Sequence, residues 1–386
     1  MRICLVYDLL FPYTIGGAER WYRSLAERLA AEGHEVTYLT LRHWPDDEAA
    51  EVPGVEVVPV GPQPNLYTAS GRRRIGPALR FGFGVLRHLT RAGSRYDVVH
   101  TASFPYFSLL AAARARRRHD FRLVVDWFEV WSEGYWREYL GPVQGRIGAA
   151  VQRRCIRVRQ HAFSFSRVFA RRLQEQGLRG ELTVLGGIYA GPPGAPPEPA
   201  EPVVVFAGRH IPEKQAGALV PAIAAARAHE PDLRGQILGD GPMRPEVLRL
   251  IDEYSLGDSV EAPGFVPEDQ LRSALRRALC LALPSRREGY GLVVVEAAAL
   301  GVPSVVVRSP DNAATELVEE GVNGSVADSV EAAELADAIL RVHAAGPALR
   351  ESTAAWFERN SDRLSLERSL KTVLSVYARE RDQADG

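Results

Sequence analysis

The sequence feature that most constrains the fold is the stretch at residues 279–307. An apolar run at 279–283 has the length of a buried strand, and a polar loop with two glycines follows it. Residues 292–300 then have helical length, and a second apolar run at 304–307 predicts the next strand. The order of strand, glycine loop, helix and strand is typical of a parallel α/β sheet, in which a helix connects successive strands.

Two acids in this stretch indicate the kind of ligand that it binds. Glu288 lies in the loop, at the edge where open α/β sheets bind ligands, and Glu296 lies inside the following helix. The amino end of that helix favours an anion. Glu288 would then accept hydrogen bonds from hydroxyl groups on one side of the anion, and Glu296 from a second hydroxylated ring further along. An anion between two polyols describes a nucleotide-sugar. The alternative is a solvated loop acid and a surface helix acid, but Glu296 lies among apolar residues, where an unpaired charge is costly.

Two cations follow another predicted strand, at 203–207. These are Arg209 and Lys214, and Lys214 is one of only two lysines in the chain, against 45 arginines. This scarcity suggests that Lys214 is present for its compact ammonium group, which an arginine does not replace. A bidentate guanidinium and a point charge together suit a diphosphate. The alternative is a pair of ordinary surface charges.

Several motifs of other enzyme classes are absent from the sequence. There is no Asp-x-Asp, and the histidines and cysteines show no ligand spacing, so we expect no metal ion. The chain also has no phosphate-binding loop ending in Gly-Lys-Ser/Thr and no Gly-x-Ser-x-Gly elbow. Because Gly-x-Gly-x-x-Gly does not follow the first strand, a dinucleotide-dependent dehydrogenase is disfavoured.

Strands and helices alternate along both halves of the 386-residue chain, a length that suits two domains. Apolar runs predict strands at 2–7, 35–40, 55–60, 96–100, 121–126, 162–166, 182–185, 203–207, 236–238, 259–262, 279–283, 304–307 and 324–327. Helices are predicted at 18–31, 331–343 and 348–379, among others. The segment at 190–202 holds six prolines and predicts a linker. We therefore predict doubly wound parallel-sheet domains at 1–190 and 203–355, with a terminal helix at 356–386.

Composition predicts a cytoplasmic protein. The three cysteines are few, odd in number and in apolar surroundings, as expected of reduced thiols, and the chain enters a strand pattern at once, without a signal peptide.

Residues 1–200 hold 27 basic and 19 acidic residues, which favours an acidic partner such as a phosphorylated acceptor or an anionic membrane. Residues 72–87 mix arginines with apolar residues, as interfacial helices do, so peripheral contact with a membrane is one interpretation, although such a stretch more often packs on its own sheet. The alternatives are a generally arginine-rich surface and a helix packed on its own sheet.

With these residues in place, the chain resembles the group 1 (family 4) retaining glycosyltransferases of the GT-B fold. The resemblance rests on seven motifs in order: Gly16-Gly-Ala-Glu19, Tyr96-Asp-Val-Val-His100, Ala207-Gly-Arg-His-Ile-Pro-Glu-Lys214, Leu238-Gly-Asp-Gly-Pro242, Gly264-Phe-Val-Pro267, Glu288-Gly-Tyr-Gly-Leu292 with Glu296, and Glu316-Leu-Val-Glu-Glu-Gly-Val-Asn-Gly324. It implies two Rossmann-like domains facing each other across a cleft, with the acceptor bound by the first domain and the last helix crossing back to it.

The resemblance also implies roles for individual residues. The catalytic residues would be Arg209, Lys214 and Glu288, and the donor-binding residues would be Gly16, Gly17, Val266, Gly289, Tyr290, Gly291, Leu292 and Glu296. The implied reaction moves a sugar from a nucleotide diphosphate to a hydroxyl acceptor, retains the anomeric configuration and needs neither metal nor cofactor. We expect a UDP-sugar as donor, with a GDP-sugar as the alternative. The acceptor would be a small molecule or a lipid-linked hydroxyl in antibiotic or envelope-glycan synthesis, and we expect no nucleic-acid partner.

One position departs from the family pattern. After the strand at 121–126, family members usually have a histidine that reaches the donor sugar, whereas this chain has Phe128 between Asp126 and Glu129. Phenylalanine donates no hydrogen bond, so the contact would be lost or made by one of those acids. Several alternatives stay open here. The donor sugar could be unusual, lacking a hydroxyl or bearing an amine, or the chain could be a catalytically weak or non-catalytic nucleotide-sugar-binding subunit. The remaining alternatives are a GT-B-like epimerase and an aromatic core segment without chemistry.

Overall fold

A computed structural model describes residues 1–45, 47–62, 65, 66, 68 and 73–382. The strands are β1 (Arg2–Val6), β2 (Glu35–Thr40), β3 (Val55–Pro59), β4 (Val98–Ala102), β5 (Arg122–Trp127), β6 (Gln160–Ser164), β7 (Gly180–Val184), β8 (Val203–Ala207), β9 (Arg234–Leu238), β10 (Val260–Gly264), β11 (Cys280–Leu283), β12 (Arg287–Glu288), β13 (Ser304–Val307), β14 (Asp311–Asn312) and β15 (Gly324–Ala327). The helices are α1 (Gly17–Ala31), α2 (Ile75–Ala92), α3 (Tyr106–Ala115), α4 (Glu133–Leu140), α5 (Pro142–Ile156), α6 (Arg167–Glu175), α7 (Leu219–Arg227), α8 (Arg244–Glu253), α9 (Glu268–Arg277), α10 (Leu292–Ala298), α11 (Ala332–Leu364) and α12 (Leu366–Asp382).

The chain forms two compact units. The first contains the described residues up to Gly186 together with the C-terminal segment from Ser369, and the second contains Gly187–Arg368. We keep the limits 1–190, 203–355 and 356–386 as predictions, because compactness alone does not define a domain that folds independently.

In the described part of the first unit, seven parallel strands form a sheet of order β3-β2-β1-β4-β5-β6-β7. Every residue of β4 and β6 is buried, as expected of a parallel sheet with helices on both faces. The strand order reverses between β1 and β4, since β1 pairs with β2 on one side and with β4 on the other. Ligands of such sheets bind at the carboxyl ends of the strands beside this reversal.

The second unit repeats the architecture. Its described strands form a parallel sheet of order β10-β9-β8-β11-β13-β15, and the order reverses between β8 and β11. The predicted fold class, two Rossmann-like parallel α/β units, is confirmed. The short pair β12 and β14, which the sequence did not predict, lies beside this sheet.

The C-terminal helices differ from the prediction in one place. The predicted helices at 331–343 and 348–379 left a gap at 344–347, and in this gap Gly346 is non-helical, with φ of 58° inside α11. The predicted continuous helix at 348–379 is wrong, because Ser365 is extended and separates α11 from α12. The Oγ of Ser365 accepts a hydrogen bond of 3.0 Å from the backbone N–H of Arg368, so this serine caps the new helix.

None of the helices in the described residues is both long enough and apolar enough to cross a bilayer. The three cysteines are buried and unbridged.

Candidate functional site

The second unit brings Lys214 and Glu288 together at the carboxyl edge of its sheet. Lys214 ends the short 3-10 turn Pro212–Lys214 after β8, and Glu288 lies in β12 after β11. The Nζ of Lys214 donates a hydrogen bond to Oε2 of Glu288, and the side chains are only 19% and 14% exposed. The hydroxyl of Ser285 lies 3.3 Å from the same carboxylate oxygen. An ammonium and a carboxylate therefore lie in contact beside the reversal between β8 and β11.

The loop that carries Glu288 is fixed by a buried asparagine. Glu288 pairs with Asn312 between β12 and β14, and Asn312 is fully buried. Its Nδ2 donates to the carbonyl oxygens of Ser285, at 2.9 Å, and Val307, at 2.8 Å. The asparagine thereby ties the loop after β11 to the loop after β13, which holds the backbone of Glu288 in place.

Glycine is required where this loop enters α10. Gly291 has φ of 96°, and a Cβ added there would lie 2.7 Å from the Cβ of Ala314. The neighbouring Tyr290 is buried, and burial raises the pKa of its hydroxyl. Gly289 and Leu292, on either side of this pair, are partly exposed. The loop therefore has a fixed course, while its first and last residues are accessible at the edge of the sheet.

Glu296 lies on α10 and is partly exposed. Burial raises the pKa of Tyr189, Arg272 opposes this shift, and the charge of Glu296 adds to it. The hydroxyl of Tyr189 donates a hydrogen bond of 2.8 Å to the carbonyl of Pro192. Glu296 therefore lies in the same region of the second unit as the hydroxyl of Tyr189 and the guanidinium of Arg272. Such polar groups make a charge on an otherwise apolar helix less costly.

Two further candidates lie at the same edge of this sheet. Arg209 is exposed and follows β8, whereas Val266 is partly exposed and follows β10, the strand at the end of the sheet. The structure therefore joins Lys214 to Glu288 by direct contact and places the other two at the ends of strands in the same sheet.

His210 is a residue of this region that the sequence reasoning missed. It is fully buried. Its backbone N–H donates to the carbonyl of Asp240 at 2.8 Å, and its carbonyl accepts from the N–H of Met243 at 2.9 Å. Burial lowers the pKa of the imidazole. The available signal was the position of His210 between the two predicted cations.

In the first unit, Gly16 and Gly17 lie where α1 begins. Gly16 is extended, and a Cβ added to it would lie 2.4 Å from Oε2 of Glu19, which is 8% exposed. A Cβ at Gly17 would meet no atom within 4 Å. The space beside Gly16 therefore holds the carboxylate of Glu19, whereas the space beside Gly17 is open.

Asp126 lies in the core of the first unit, at the end of β5. It is fully buried, and its Oδ2 accepts a hydrogen bond of 2.7 Å from Nε1 of Trp21. Its Oδ1 lies 2.9 Å from Nε2 of His100, and Nδ1 of His100 lies 2.6 Å from the hydroxyl of Tyr377. This carboxylate thus contacts α1 and β4, and His100 in turn contacts Tyr377 of α12.

Phe128 and Glu129 follow β5 and are partly exposed. The ring of Phe128 stacks on Phe165, with centroids 4.5 Å apart and planes within 10°. Glu129 accepts a hydrogen bond of 2.8 Å through Oε2 from Nε1 of Trp131. Phe128, which stands where the family has a histidine, therefore stacks on another aromatic ring, and Glu129 is the carboxylate next to it in the sequence.

Comparison with known proteins gives two family matches. Residues 194–355 match the model described as glycosyl transferases group 1, and residues 16–186 match the model described as a glycosyl transferase 4-like domain. Together the two matches cover most of the chain.

Similar curated proteins include two bacterial transferases. The alpha-D-kanosaminyltransferase of Streptomyces kanamyceticus is 33% identical over 153 residues, which is 40% of this chain and 39% of that protein. The D-inositol 3-phosphate glycosyltransferase of a Nocardioides species is 32% identical over 194 residues, 46% of this chain and 42% of that protein. The matches thus span less than half the length of these curated relatives.

Solved structures agree over nearly the whole chain. Sucrose-phosphate synthase from Thermosynechococcus elongatus superimposes with a TM-score of 0.76 at 21% identity and covers 99% of both chains. HepE from Anabaena, in complex with UDP and glucose, has a TM-score of 0.71 at 19% identity over 97% of this chain and 99% of that one. At such identities the likeness establishes a shared fold.

Proposed function

The chain belongs to the group 1 (family 4) glycosyltransferases of the GT-B fold, and from that premise we propose that it transfers a sugar from a nucleotide diphosphate to a hydroxyl acceptor. The observation that best supports the proposal is the contact of Lys214 with Glu288 at the reversal of the second sheet. A cation and a hydrogen-bond-accepting carboxylate in one place match the two parts of the donor: the diphosphate and the sugar hydroxyls.

The proposed reaction breaks one bond and forms one. The acceptor hydroxyl attacks the anomeric carbon of the donor, and the bond from that carbon to the diphosphate oxygen breaks. The proton of the hydroxyl passes to the departing phosphate, on the same face of the sugar, so the anomeric configuration is retained. The nucleoside diphosphate leaves with the electron pair of the broken bond.

In this proposal each charged side chain acts at a stated atom. The Nζ of Lys214 moves from Glu288 to the diphosphate oxygens and stabilises the charge that develops on the leaving group. The Glu288 carboxylate then accepts hydrogen bonds from the sugar hydroxyls and keeps the ring oriented. Arg209, which is exposed and follows β8 as Lys214 does, adds a second cation for the diphosphate. Positively charged side chains would thus stabilise the leaving group, which a metal ion does in other transferases.

We propose a UDP-sugar as donor, with a GDP-sugar as the alternative, and an acceptor from antibiotic or envelope-glycan synthesis. Support for UDP comes from the Anabaena neighbour, which was solved with UDP. Support for a hydroxyl acceptor comes from the name of the Nocardioides relative, a D-inositol 3-phosphate glycosyltransferase.

The proposal is tested by nucleoside diphosphate release and by donor binding. Lys214→Ala and Glu288→Gln should each lower turnover by about 10²-fold or more, because each removes a group that acts on developing charge or on the donor ring. Lys371→Ala, the change of the other lysine, is the matched control and should keep full activity. Unaltered turnover in both site variants would show that the donor site lies elsewhere.

A non-catalytic nucleotide-sugar-binding subunit is the second candidate. The stack of Phe128 on Phe165 favours it, because this ring offers no hydrogen bond to a donor sugar. Calorimetry that detects UDP-sugar binding without turnover on any acceptor would support this candidate. Gain of turnover in Phe128→His would identify an enzyme that has lost one donor contact.

We further propose that α2 brings the protein to anionic membrane surfaces. Ile75, Leu79 and Phe83 on this helix are 68%, 47% and 69% exposed. The sequence from 57 to 96 contains no Asp or Glu, and arginines of α2 line a groove of about 690 Å³ beside the end of β3. Exposed apolar side chains among arginines, without any acid, are the pattern of an interfacial helix.

Co-sedimentation with liposomes tests this location. The protein should bind vesicles that contain phosphatidylglycerol and should not bind pure phosphatidylcholine. Phe83→Asp should weaken that binding about tenfold, because it replaces an exposed apolar ring by a charge that the anionic surface repels. Leu248→Asp, at an apolar residue of α8 that is 38% exposed, is the matched control. Equal binding of both variants would exclude α2 as the contact.

A further inference from the structure

The loop between β11 and β12 holds a buried serine that contacts the carboxylate of Glu288. Ser285 is fully buried, and its hydroxyl donates a hydrogen bond of 3.3 Å to Oε2, the oxygen that also accepts from Lys214. Within the described residues, these two groups are the only protein donors to that oxygen. One of them sits at the end of a flexible stem, whereas the other is fixed inside the protein.

The second oxygen of Glu288 has a different environment. Oε1 makes no hydrogen bond with the described part of the chain, and it is not enclosed by protein atoms, since the side chain is 14% exposed. The protein therefore holds the carboxylate through Oε2 and leaves Oε1 for a ligand. A carboxylate that is anchored through one oxygen presents the other in a defined direction.

Asn312 fixes the backbone of Ser285. Its Nδ2 donates to the carbonyl oxygens of Ser285 and Val307, at 2.9 and 2.8 Å, and its Oδ1 accepts from the N–H of Ala314 at 3.1 Å. Because two carbonyls lie at one end of the amide and an N–H at the other, the amide has a single favourable orientation. A carboxylate or an apolar side chain at this position would leave both carbonyls without a donor.

The loop before Glu288 is also tied to the turn that carries Lys214. The Oγ of Ser309 donates to the carbonyl of Arg286 at 2.7 Å, and the N–H of Arg286 donates to the carbonyl of Glu213 at 2.9 Å. The loop is thus held by the segment after β13 on one side and by the 3-10 turn after β8 on the other. The side chain of Lys214 can therefore move without displacing the backbone of this loop.

From these contacts we propose that Ser285 and Asn312 are positioning residues for Glu288 in the donor complex. The inference rests on the proposed transferase function, in which Lys214 leaves Glu288 for the diphosphate. The hydroxyl of Ser285 is then the donor that remains on Oε2, and it keeps Oε1 directed at a hydroxyl of the donor sugar. Asn312 acts one step further away, because it holds the carbonyl of Ser285. The two residues thus act on the sugar part of the donor and not on the nucleotide.

Calorimetry on the full chain tests this role by comparing UDP-glucose with UDP, and GDP-mannose with GDP. For the pair that the wild type binds more tightly, Ser285→Ala should weaken binding of the nucleotide-sugar about fivefold and Asn312→Ala about tenfold, whereas binding of the free nucleoside diphosphate should change less than about twofold. The reason is that Glu288 then no longer keeps its direction toward the sugar. A general loosening of the second unit would weaken both ligands to the same extent.

A double-mutant cycle separates positioning from packing. Glu288→Ala should weaken binding of the nucleotide-sugar on its own. Adding Ser285→Ala to Glu288→Ala should cause no further loss, since the residue through which the serine acts is then absent. Losses that add up in the double variant would overturn the positioning role.

Asn323→Ala is the matched control for Asn312→Ala. Asn323 is also buried in the second unit, and its Nδ2 donates to the carbonyl of Leu317 at 2.8 Å. Its own carbonyl accepts from the N–H of Ser304, where β13 begins, so it lies at the opposite edge of the sheet. Asn323→Ala should lower the melting temperature as Asn312→Ala does and should bind the nucleotide-sugar like the wild type. Equal losses of nucleotide-sugar binding in the two asparagine variants would overturn the role of Asn312.

The results separate this inference from the proposed function. Failure of the wild type to bind either pair, or full nucleotide-sugar affinity in Glu288→Ala, would contradict the proposed function and the positioning role together. Loss of affinity in Glu288→Ala, with wild-type affinity in Ser285→Ala and Asn312→Ala, would overturn the positioning role alone. Each of the two variants decides the role of its own residue.

Discussion

Individual residues of the donor region are constrained by their backbone as much as by their chemistry. Gly291 combines a φ of 96° with a gap of only 2.7 Å between an added Cβ and the Cβ of Ala314. A glycine pattern in the sequence suggests such a position, but a glycine such as Gly257, which has open space around it, gives the same signal. The difference between the two glycines matters because only Gly291 fixes the course of the loop that carries Glu288.

We therefore predict that Gly291→Ala destabilises the second unit by about 1–3 kcal/mol, through left-handed strain and contact with Ala314. Gly257→Ala is the control and should change the free energy of unfolding by less than about 0.5 kcal/mol. Urea unfolding followed by tryptophan fluorescence and circular dichroism measures both variants. Equal stability of the two would show that the backbone at Gly291 relaxes without cost.

At the scale of elements, α12 belongs to the first unit through buried contacts from Ser369 onward. Val373 and Tyr377 of this helix are 0% and 1% exposed. The hydroxyl of Tyr377 lies 2.6 Å from Nδ1 of His100, and Arg122 donates a hydrogen bond to the backbone carbonyl of Tyr377. A helix at the end of the chain is therefore anchored to β4 and β5 by polar contacts inside the core.

Tyr377→Phe should lower the free energy of unfolding of the first unit by about 1–3 kcal/mol, because it leaves a buried nitrogen of His100 without its partner. Limited proteolysis should then cleave the C-terminal helix faster than in the wild type. Tyr254→Phe, at an exposed tyrosine, should change neither quantity. Wild-type resistance to the protease in Tyr377→Phe would mean that apolar packing alone holds α12.

On the scale of the whole molecule, charge is unevenly distributed along the chain. Residues 1–200 hold 27 basic and 19 acidic residues, whereas the remainder holds 20 and 29. The proposed membrane contact lies in the basic part, and the proposed donor site lies in the acidic part, where Lys214 and Arg209 are local exceptions. In the described residues, no group of three or more His, Cys, Asp or Glu side chains is arranged to hold a metal ion.

From the proposed roles of Lys214 and Arg209 at the diphosphate, we predict that transfer does not depend on a divalent cation. Addition of EDTA should change the rate of nucleoside diphosphate release by less than about twofold, because the leaving charge is stabilised by fixed side chains. Magnesium or manganese added afterwards should have no further effect. A large loss in EDTA that either metal restores would contradict the proposed role of Lys214 and Arg209.

Local sequence patterns determined most of the architecture. Four strands, β2, β8, β13 and β15, have the predicted limits, and the other main strands lie within a few residues of theirs. This success has a physical basis, because strands of a parallel sheet are buried on both faces and so form continuous apolar runs. The same rule brought Lys214 and Glu288 to one edge, although 74 positions separate them, since the carboxyl ends of such strands share an edge.

Only the tertiary structure decided which polar residues are buried and what they contact. It placed Asp126 inside the core, paired His100 with Tyr377 across 277 positions, and buried the carboxylate of Asp8 beside Arg73. No local pattern encodes such contacts, because a polar side chain looks the same in the sequence whether water or a distant residue satisfies it. Burial of apolar surface fixes the strands from nearby residues, whereas the partners of polar groups depend on how the whole chain packs.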